Sequence, residues 1–319
     1  MSLRRLPMSQ TFTLAHLSDI HLAPVVGFSM AHWRVKRLLG YVNWHRKRKA
    51  IHLRPVVDRL VTDLVTQRPD HIAVTGDLVN LGLPGEQVAA LEWLRSVGSP
   101  DRVMVVPGNH DIYVHMRRDL GTARWQDYMR ANAEGASYGE SSHPFPFVRR
   151  FGQIALIGVN SAIPTVPVLA RGRVGREQLQ RLGRILDALG REGLVRIVLI
   201  HYPPLPGQSV SSRKLLDAEA MQQVLSEHGA ELVLHGHNHT NTLEYCSSRG
   251  PGIPVIGIAS ASLGRRYHDE PLGRYNLYQV TAGGGAAKVL LTARGLAEPD
   301  GPVVELERRE IEAPVALQG

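Results

Sequence analysis

The chain is poor in cysteine: Cys246 is the only one in 319 residues. That excludes an internal disulfide framework and any thiolate-rich zinc site, fits a reducing compartment, and leaves packing as the expected role of the thiol. Long apolar runs are also missing. Nowhere do eighteen or more apolar residues follow one another without a charge, so no transmembrane helix is expected. The opening residues, MSLRRLPMSQTFTLAHL, lack the apolar core of a secretory signal and read as a flexible leader over 1–11. The expectation is a cytoplasmic protein, soluble or peripheral on the inner membrane surface.

Acidic residues are outnumbered, 29 against 37 Lys and Arg, giving a net charge of +8. Such a surface attracts anions, whether nucleotides, phospholipids or nucleic acid. With 43% hydrophobic and 21% charged residues the chain can bury a large core. No repeat or clear linker divides it, so a single domain over 12–312 with a loose tail at 313–319 is expected.

Short β-branched runs alternate with amphipathic stretches, the pattern of an α/β domain. The runs are FTLAHL (12–17), HIAVT (71–75), RVMVV (102–106), IALIGV (154–159), RIVLI (196–200) and ELVLH (231–235). Helical spacing joins Val56, Val57, Leu60, Val61, Leu64 and Val65, and again Leu179, Leu182, Ile185, Leu186 and Leu189. After residue 240 the helical pattern stops and TLEY, IPVIGIA and RYNLYQV predict a second sheet, with a hairpin in 281–295 and one more strand in the tail.

Polar residues gather where those runs end. LSDIH follows the first, TGDLVN the second, VPGNHD the third, IHYPP the fifth and HGHNHTN the sixth. Ligands of open α/β sheets bind beyond the carboxyl ends of strands, where several loops converge. Asp19, His21, Asp77, Asn109, His201, His237 and His239 make seven candidate ligands of nitrogen and oxygen type. Imidazole with carboxylate suits Zn, Mn, Fe or Ni. One metal would use three or four of the seven, and two metals sharing a carboxylate would use all. Gly76, Gly108 and Gly236 stand beside ligands and permit close approach of the loops.

DIH, GDLVN, GNHD, HYPP and GHNH, in this order across roughly residues 12–245, resemble the signature of the calcineurin-like metallophosphoesterase superfamily. The resemblance implies an α/β fold, a four-layer α-β-β-α sandwich of two facing mixed sheets. It also implies Asp19, His21 and His239 on one metal, Asn109, His201 and His237 on another, and Asp77 shared between them. The cofactors would be two divalent or transition ions, Mn, Fe or Zn, with a hydroxide bridging them attacking phosphorus. His110 matches the histidine that contacts the phosphate or protonates the leaving oxygen, and Asp111 either orients neighbouring groups or caps the turn.

GDLVNLG lacks the Asp-Arg-Gly of the superfamily's protein phosphatases, leaving Asn80 near the phosphate position without a gripping arginine. The motifs are most similar to bacterial phosphodiesterases of the cyclic-nucleotide type, as is GRVGREQLQRL (172–182). Arg171 and Arg173, before a predicted helix, are candidates for holding a substrate anion.

One stretch departs from that pattern. Residues 28–55 form a long insert rich in Trp, Tyr, Leu, Arg and Lys. It reads either as a helix packing Trp33, Leu38, Leu39 and Trp44 into the core, or as a basic aromatic segment lying on an anionic membrane. In character it is similar to elements of UDP-2,3-diacylglucosamine pyrophosphohydrolases, which would set Arg34, Lys36, Arg37 and Arg46 to Lys49 against lipid headgroups or diphosphate. A nuclease or nucleic-acid-binding protein is a third reading, suggested by charge alone. A small phosphodiester or nucleotide is the expected partner, with no dedicated nucleic-acid partner. His16, His32, His45, His52, His71, His115, His143, His228 and His268 are expected at the surface or in packing, and RRYHDEP (265–271) is a candidate lining of the cleft.

Overall fold

A computed structural model describes residues 10–29, 34–114, 121–140, 142–248, 252–283 and 286–313. Most of the leader, the tail from 314, His32, Trp33 and His115 lie outside the described residues.

The first half runs β1 (Gln10–Leu17), α1 (Val35–Asn43), a π-helical turn at Trp44–Arg48, α2 (Lys49–Ile51), α3 (Arg54–Thr66), β2 (His71–Val74), α4 (Pro84–Val97) and β3 (Val103–Val105). Then come β4 (Phe147–Phe151), β5 (Ile154–Gly158), α5 (Arg176–Arg191), β6 (Val195–Leu199), α6 (Ala218–His228) and β7 (Leu232–His235). The chain ends in β8 (Thr242–Cys246), β9 (Ile253–Gly257), β10 (Arg274–Gly283), β11 (Ala286–Leu296) and β12 (Val303–Glu312). No described helix is long and apolar enough to cross a membrane.

Two six-stranded mixed sheets result, ordered β12-β11-β10-β1-β2-β3 and β4-β5-β6-β7-β9-β8. Together with the flanking helices they make the four-layer sandwich. Alternation along the second sheet shows how it is covered. Leu156, Ile197, Leu199, Leu232 and Leu234 belong to one buried cluster with Leu14, Leu60, Met104 and Tyr278, between and behind the sheets. Their neighbours Ile157, Val198 and Val233 pack with Leu182, Leu186, Met221 and Leu225 of α5 and α6. A strand buried on both faces needs apolar residues at every position, hence the continuous runs in the sequence.

The strands after residue 240 do not build a sheet of their own. β8 and β9 finish the sheet of β4 to β7, whereas β10 pairs antiparallel with β1 and extends the first sheet. Local pattern gives strands but not their partners, which are long-range. β4 and α4 were also not apparent from the sequence; FVRRF carries two arginines, and the buried Arg149 donates to the carbonyls of Pro100, Val103 and Arg130.

The insert differs from its packing reading. Trp44 is buried, but Leu38 and Leu39 are exposed and Arg37 is buried in their place. Arg37 donates from Nε to Leu81 O at 3.2 Å and from Nη2 to Gly82 O at 2.5 Å, which satisfies a charge turned inward. Gly40 brings the same side of α1 against Leu81 and Tyr113, where a Cβ would lie 2.7 Å from Leu81 Cδ2.

Candidate metal centre

The parallel strands β1, β2 and β3 of one sheet, and β6 and β7 of the other, end at the same edge of the sandwich. The loop after β1 continues to pair with the loop after β2, through Asp19 N to Gly76 O at 3.0 Å and His21 N to Asp77 O at 2.9 Å. Five of the candidate ligands occupy left-handed backbone: Asp19 at φ 54°, His21 at 42°, Asp77 at 53°, His237 at 69° and His239 at 56°. Such a conformation costs on the order of 1–3 kcal/mol for a residue with a side chain, and it concentrates where a site demands it. Here it folds each side chain back into the cleft. Gly236 is required for a different reason, since a Cβ there would lie 2.5 Å from Asp19 Oδ2.

The side chains converge in two groups. Ligand atoms of Asp19, His21 and His239 lie within 4.8 Å of one another, as do those of Asp19, Asp77 and His201. Asn109 Oδ1 and His237 Nδ1 each stand 3.2 Å from His201 Nε2, which adds them to the second group. All seven residues are buried.

Each imidazole is oriented from behind. His21 Nδ1–H donates to Val79 O at 3.2 Å, His201 Nδ1–H to Thr75 O at 2.6 Å, and His237 Nε2–H to Arg213 O at 2.8 Å. His239 Nδ1–H donates to Glu270 Oε2 at 2.9 Å. A carbonyl or carboxylate only accepts, so these bonds fix the ring tautomer and turn the other nitrogen, with its lone pair, into the cluster. His21 Nε2 then faces His239 Nε2 at 3.3 Å, and His237 Nδ1 faces His201 Nε2. Lone pairs so close need a positive charge between them, which is how two clusters of His and Asp hold a dinuclear divalent-metal centre.

Protonation in the cation-free chain follows the same logic. Burial pushes the Asp77 carboxyl up, reinforced by the charge of Asp19, to about 8. Burial works against a charged His239, but Asp19 outweighs it and raises the ring to about 9. Burial lowers His21, His201 and His237 and keeps them neutral. Protons thus gather at Asp77 and His239, where cations would otherwise balance the carboxylates.

Asp111 serves the loops. Its carboxylate accepts from the backbone N–H of Asp77, Leu78 and Gly108, each at 2.9 Å, and so fixes the Asp77 turn to the Asn109 turn. His110 donates from its own backbone to Asp77 Oδ1 at 2.7 Å. Its ring Nδ1–H donates to Asn80 O at 2.5 Å, leaving Nε2 toward the cleft, 4.0 Å from Asp77 Oδ2.

A cleft of about 280 Å³ lies over the cluster, and its cationic walls are Lys47, Arg48 and Arg213. Arg48 comes from the insert, with Nη2 2.8 Å from His21 Nε2 and Nη1 3.1 Å from His110 Nε2. Tyr267 and Glu270 of the 265–271 segment line the opposite rim. The other candidate substrate residues stand elsewhere. Asn80 is buried and donates to Leu22 O, Arg171 donates to Ser211 O, Arg34 and Arg173 are exposed, Arg37 is buried under α1, and none of the five lines the cleft.

Three contributors had no sequence signal of their own. Arg48 was one of a run of basic residues, Arg213 stood in an ordinary loop, and His52, expected in packing or at the surface, sits with its ring 4.7 Å from that of His21.

The comparisons with known proteins agree with this architecture. A family model described as calcineurin-like phosphoesterase matches residues 12–241. A dimetal phosphatase from Danio rerio is similar in structure, with a TM-score of 0.62 at 16% identity over 94% of this chain and 98% of that one. A purple acid phosphatase from yellow lupin (Lupinus luteus) seeds gives a TM-score of 0.56 at 14% identity, over 96% of this chain and 54% of that one. At such identities the likeness is one of fold. No curated protein matches the chain.

Proposed function

Because the chain belongs to the calcineurin-like phosphoesterase family, we propose that it hydrolyses a small phosphodiester, cyclic-nucleotide-like or related, at the dinuclear centre. The observation that carries this reading is the set of four imidazoles whose outward N–H groups are all engaged, so that four lone pairs and the carboxylates of Asp19 and Asp77 face one space.

Asp19, His21 and His239 would hold one cation and Asn109, His201 and His237 the other, with Asp77, whose Oδ2 lies 3.9 Å from His21 Nε2 and 3.6 Å from His201 Nε2, placed to serve both. When bound, the two ions supply a water acidified toward neutral pH and neutralise charge on the phosphoryl oxygens. Everything else falls to the side chains. Arg48 and Arg213 grip the non-bridging oxygens, which a planar guanidinium does in a fixed orientation. His110, fixed by Asn80 O, presents Nε2 to the leaving oxygen. Burial and the Arg48 guanidinium hold this imidazole well below its usual pKa. A phosphate anion between the two offsets the guanidinium, so that Nε2 can take a proton from solvent and pass it to the departing alkoxide.

The test is a substrate panel with added Mn: bis-p-nitrophenyl phosphate, p-nitrophenyl phosphate, cyclic AMP and a phosphoserine peptide. Turnover of the diesters above the monoester and the peptide is expected. Hydrolysis confined to monoesters would overturn the diester reading, and none on any ester with both sites loaded would overturn hydrolysis itself.

A further inference from the structure

Helix α1 is inside out. Val35, Leu38, Leu39 and Val42 follow the i, i+3, i+4, i+7 spacing that ordinarily marks a core-facing stripe. In the fold this stripe faces solvent, with the four side chains 68%, 39%, 54% and 39% exposed. The inner side is taken by Arg37, 5% exposed, with Gly40 and Trp44.

The exposed stripe runs directly into charge. His45, Arg46, Lys47 and Lys49 are exposed in the turn that follows, and no Asp or Glu occurs between Asp19 and Asp58. An apolar stripe bordered by Lys and Arg, with no acid nearby, is the composition of a helix that lies in the interface of an anionic bilayer. A second copy of the chain fits less well, because a two-fold contact through this face would bring the basic residues of both copies around one apolar seam, with no Asp or Glu of residues 20–57 to receive them.

The same insert supplies Asn43, Lys47, Arg48 and Ile51 to the lining of the cleft. We infer that the exposed face of α1 docks on an anionic phospholipid surface, seating Val35, Leu38, Leu39 and Val42 among acyl chains and Arg46 and Lys49 against phosphates. Docking stands independently of the hydrolytic reading.

The full chain, with chelator present, is sedimented with vesicles of phosphatidylglycerol mixed with phosphatidylcholine and with vesicles of phosphatidylcholine alone. Binding to the anionic vesicles is expected, falling with salt, and weakened about tenfold in L38S/L39S and in R46E/K49E. Mn-loaded turnover of bis-p-nitrophenyl phosphate should be unchanged in both variants, since none of the four residues lines the cleft. Equal sedimentation of wild type and variants would overturn docking. So would a concentration-dependent dimer, seen by sedimentation velocity, that L38S/L39S abolishes while vesicle binding is absent. Vesicle binding without any ester turnover would overturn the hydrolytic reading and leave docking in place.

Discussion

Arg48 and His110 approach to 3.1 Å across the mouth of the metal cluster, one carried by the insert and the other by the loop after β3. A guanidinium and an imidazole are stable neighbours only when the imidazole stays neutral and accepts, or when an anion joins the two. Among the described residues no carboxylate forms a salt bridge with Arg48. Replacing Arg48 by Ala should lower kcat/KM for a diester by about 10- to 100-fold, the worth of a charge-assisted hydrogen bond. Lys should restore little of it, because it lacks the planar fork. Metal content measured by mass spectrometry should stay at the wild-type level; parallel loss of metal would show that Arg48 supports the ligands rather than the substrate.

Asp77→Ala and His110→Ala separate ligand from proton donor. The first should abolish turnover and reduce bound metal, because Asp77 Oδ2 lies 3.9 Å from His21 Nε2 of one group and 3.6 Å from His201 Nε2 of the other. The second should cut turnover by about a hundredfold or more with metal retained. If His110→Ala loses metal on the scale of Asp77→Ala, its assignment to the leaving group is wrong.

Glu270 acts on the centre through His239. Glu270→Gln keeps the shape but removes the charge that orients the imidazole, and metal affinity should weaken about 10- to 100-fold. Titration of the metal-free variant with Mn or Zn, against wild type, reads this directly. An unchanged dissociation constant would make Glu270 a rim residue only.

His71, remote from the centre and packed against Phe151 at a ring distance of 4.8 Å, predicts an acid limb of stability. Burial, then Arg149, lowers its pKa from 6.5 to about 3. The unfolded ring takes its proton near pH 6.5 and the folded ring only near pH 3, so the unfolded state binds more protons between them. Its contribution is complete above about pH 6.5 and is lost as the pH falls, at up to about 1.4 kcal/mol per pH unit. Urea midpoints measured with chelator from pH 7 to pH 4 should decline less steeply in His71→Gln than in wild type.

The strand ends were legible because the chemistry is local: DIH and GHNH each put two ligands two residues apart, GNHD sets Asn109 beside His110, and no core requirement asks for that spacing. Burial on both faces made β5 and the apolar stretches Ile197–Leu199 of β6 and Leu232–Leu234 of β7 stand out. What escaped is what depends on tertiary partners. Arg48 cannot be told from Arg46 by its neighbours, and only the π-helical turn aims it at His21. The stripe of α1 carries the pattern of a buried helix, and it is the carbonyls of Leu81 and Gly82, more than forty residues away, that turn Arg37 inward instead.

The centre draws Asp19, His21, Asp77 and Asn109 from one sheet and His201, His237 and His239 from the other. Within it His237 N–H already reaches Asp19 Oδ2 at 3.0 Å across the gap. Cations held here therefore act as a clasp between two halves of the sandwich, and their binding free energy is also folding free energy. Stripping them should loosen this edge first: amides of the loops after β1 and β7 would exchange sooner than those of β10 and β11, and the melting temperature would rise with added metal.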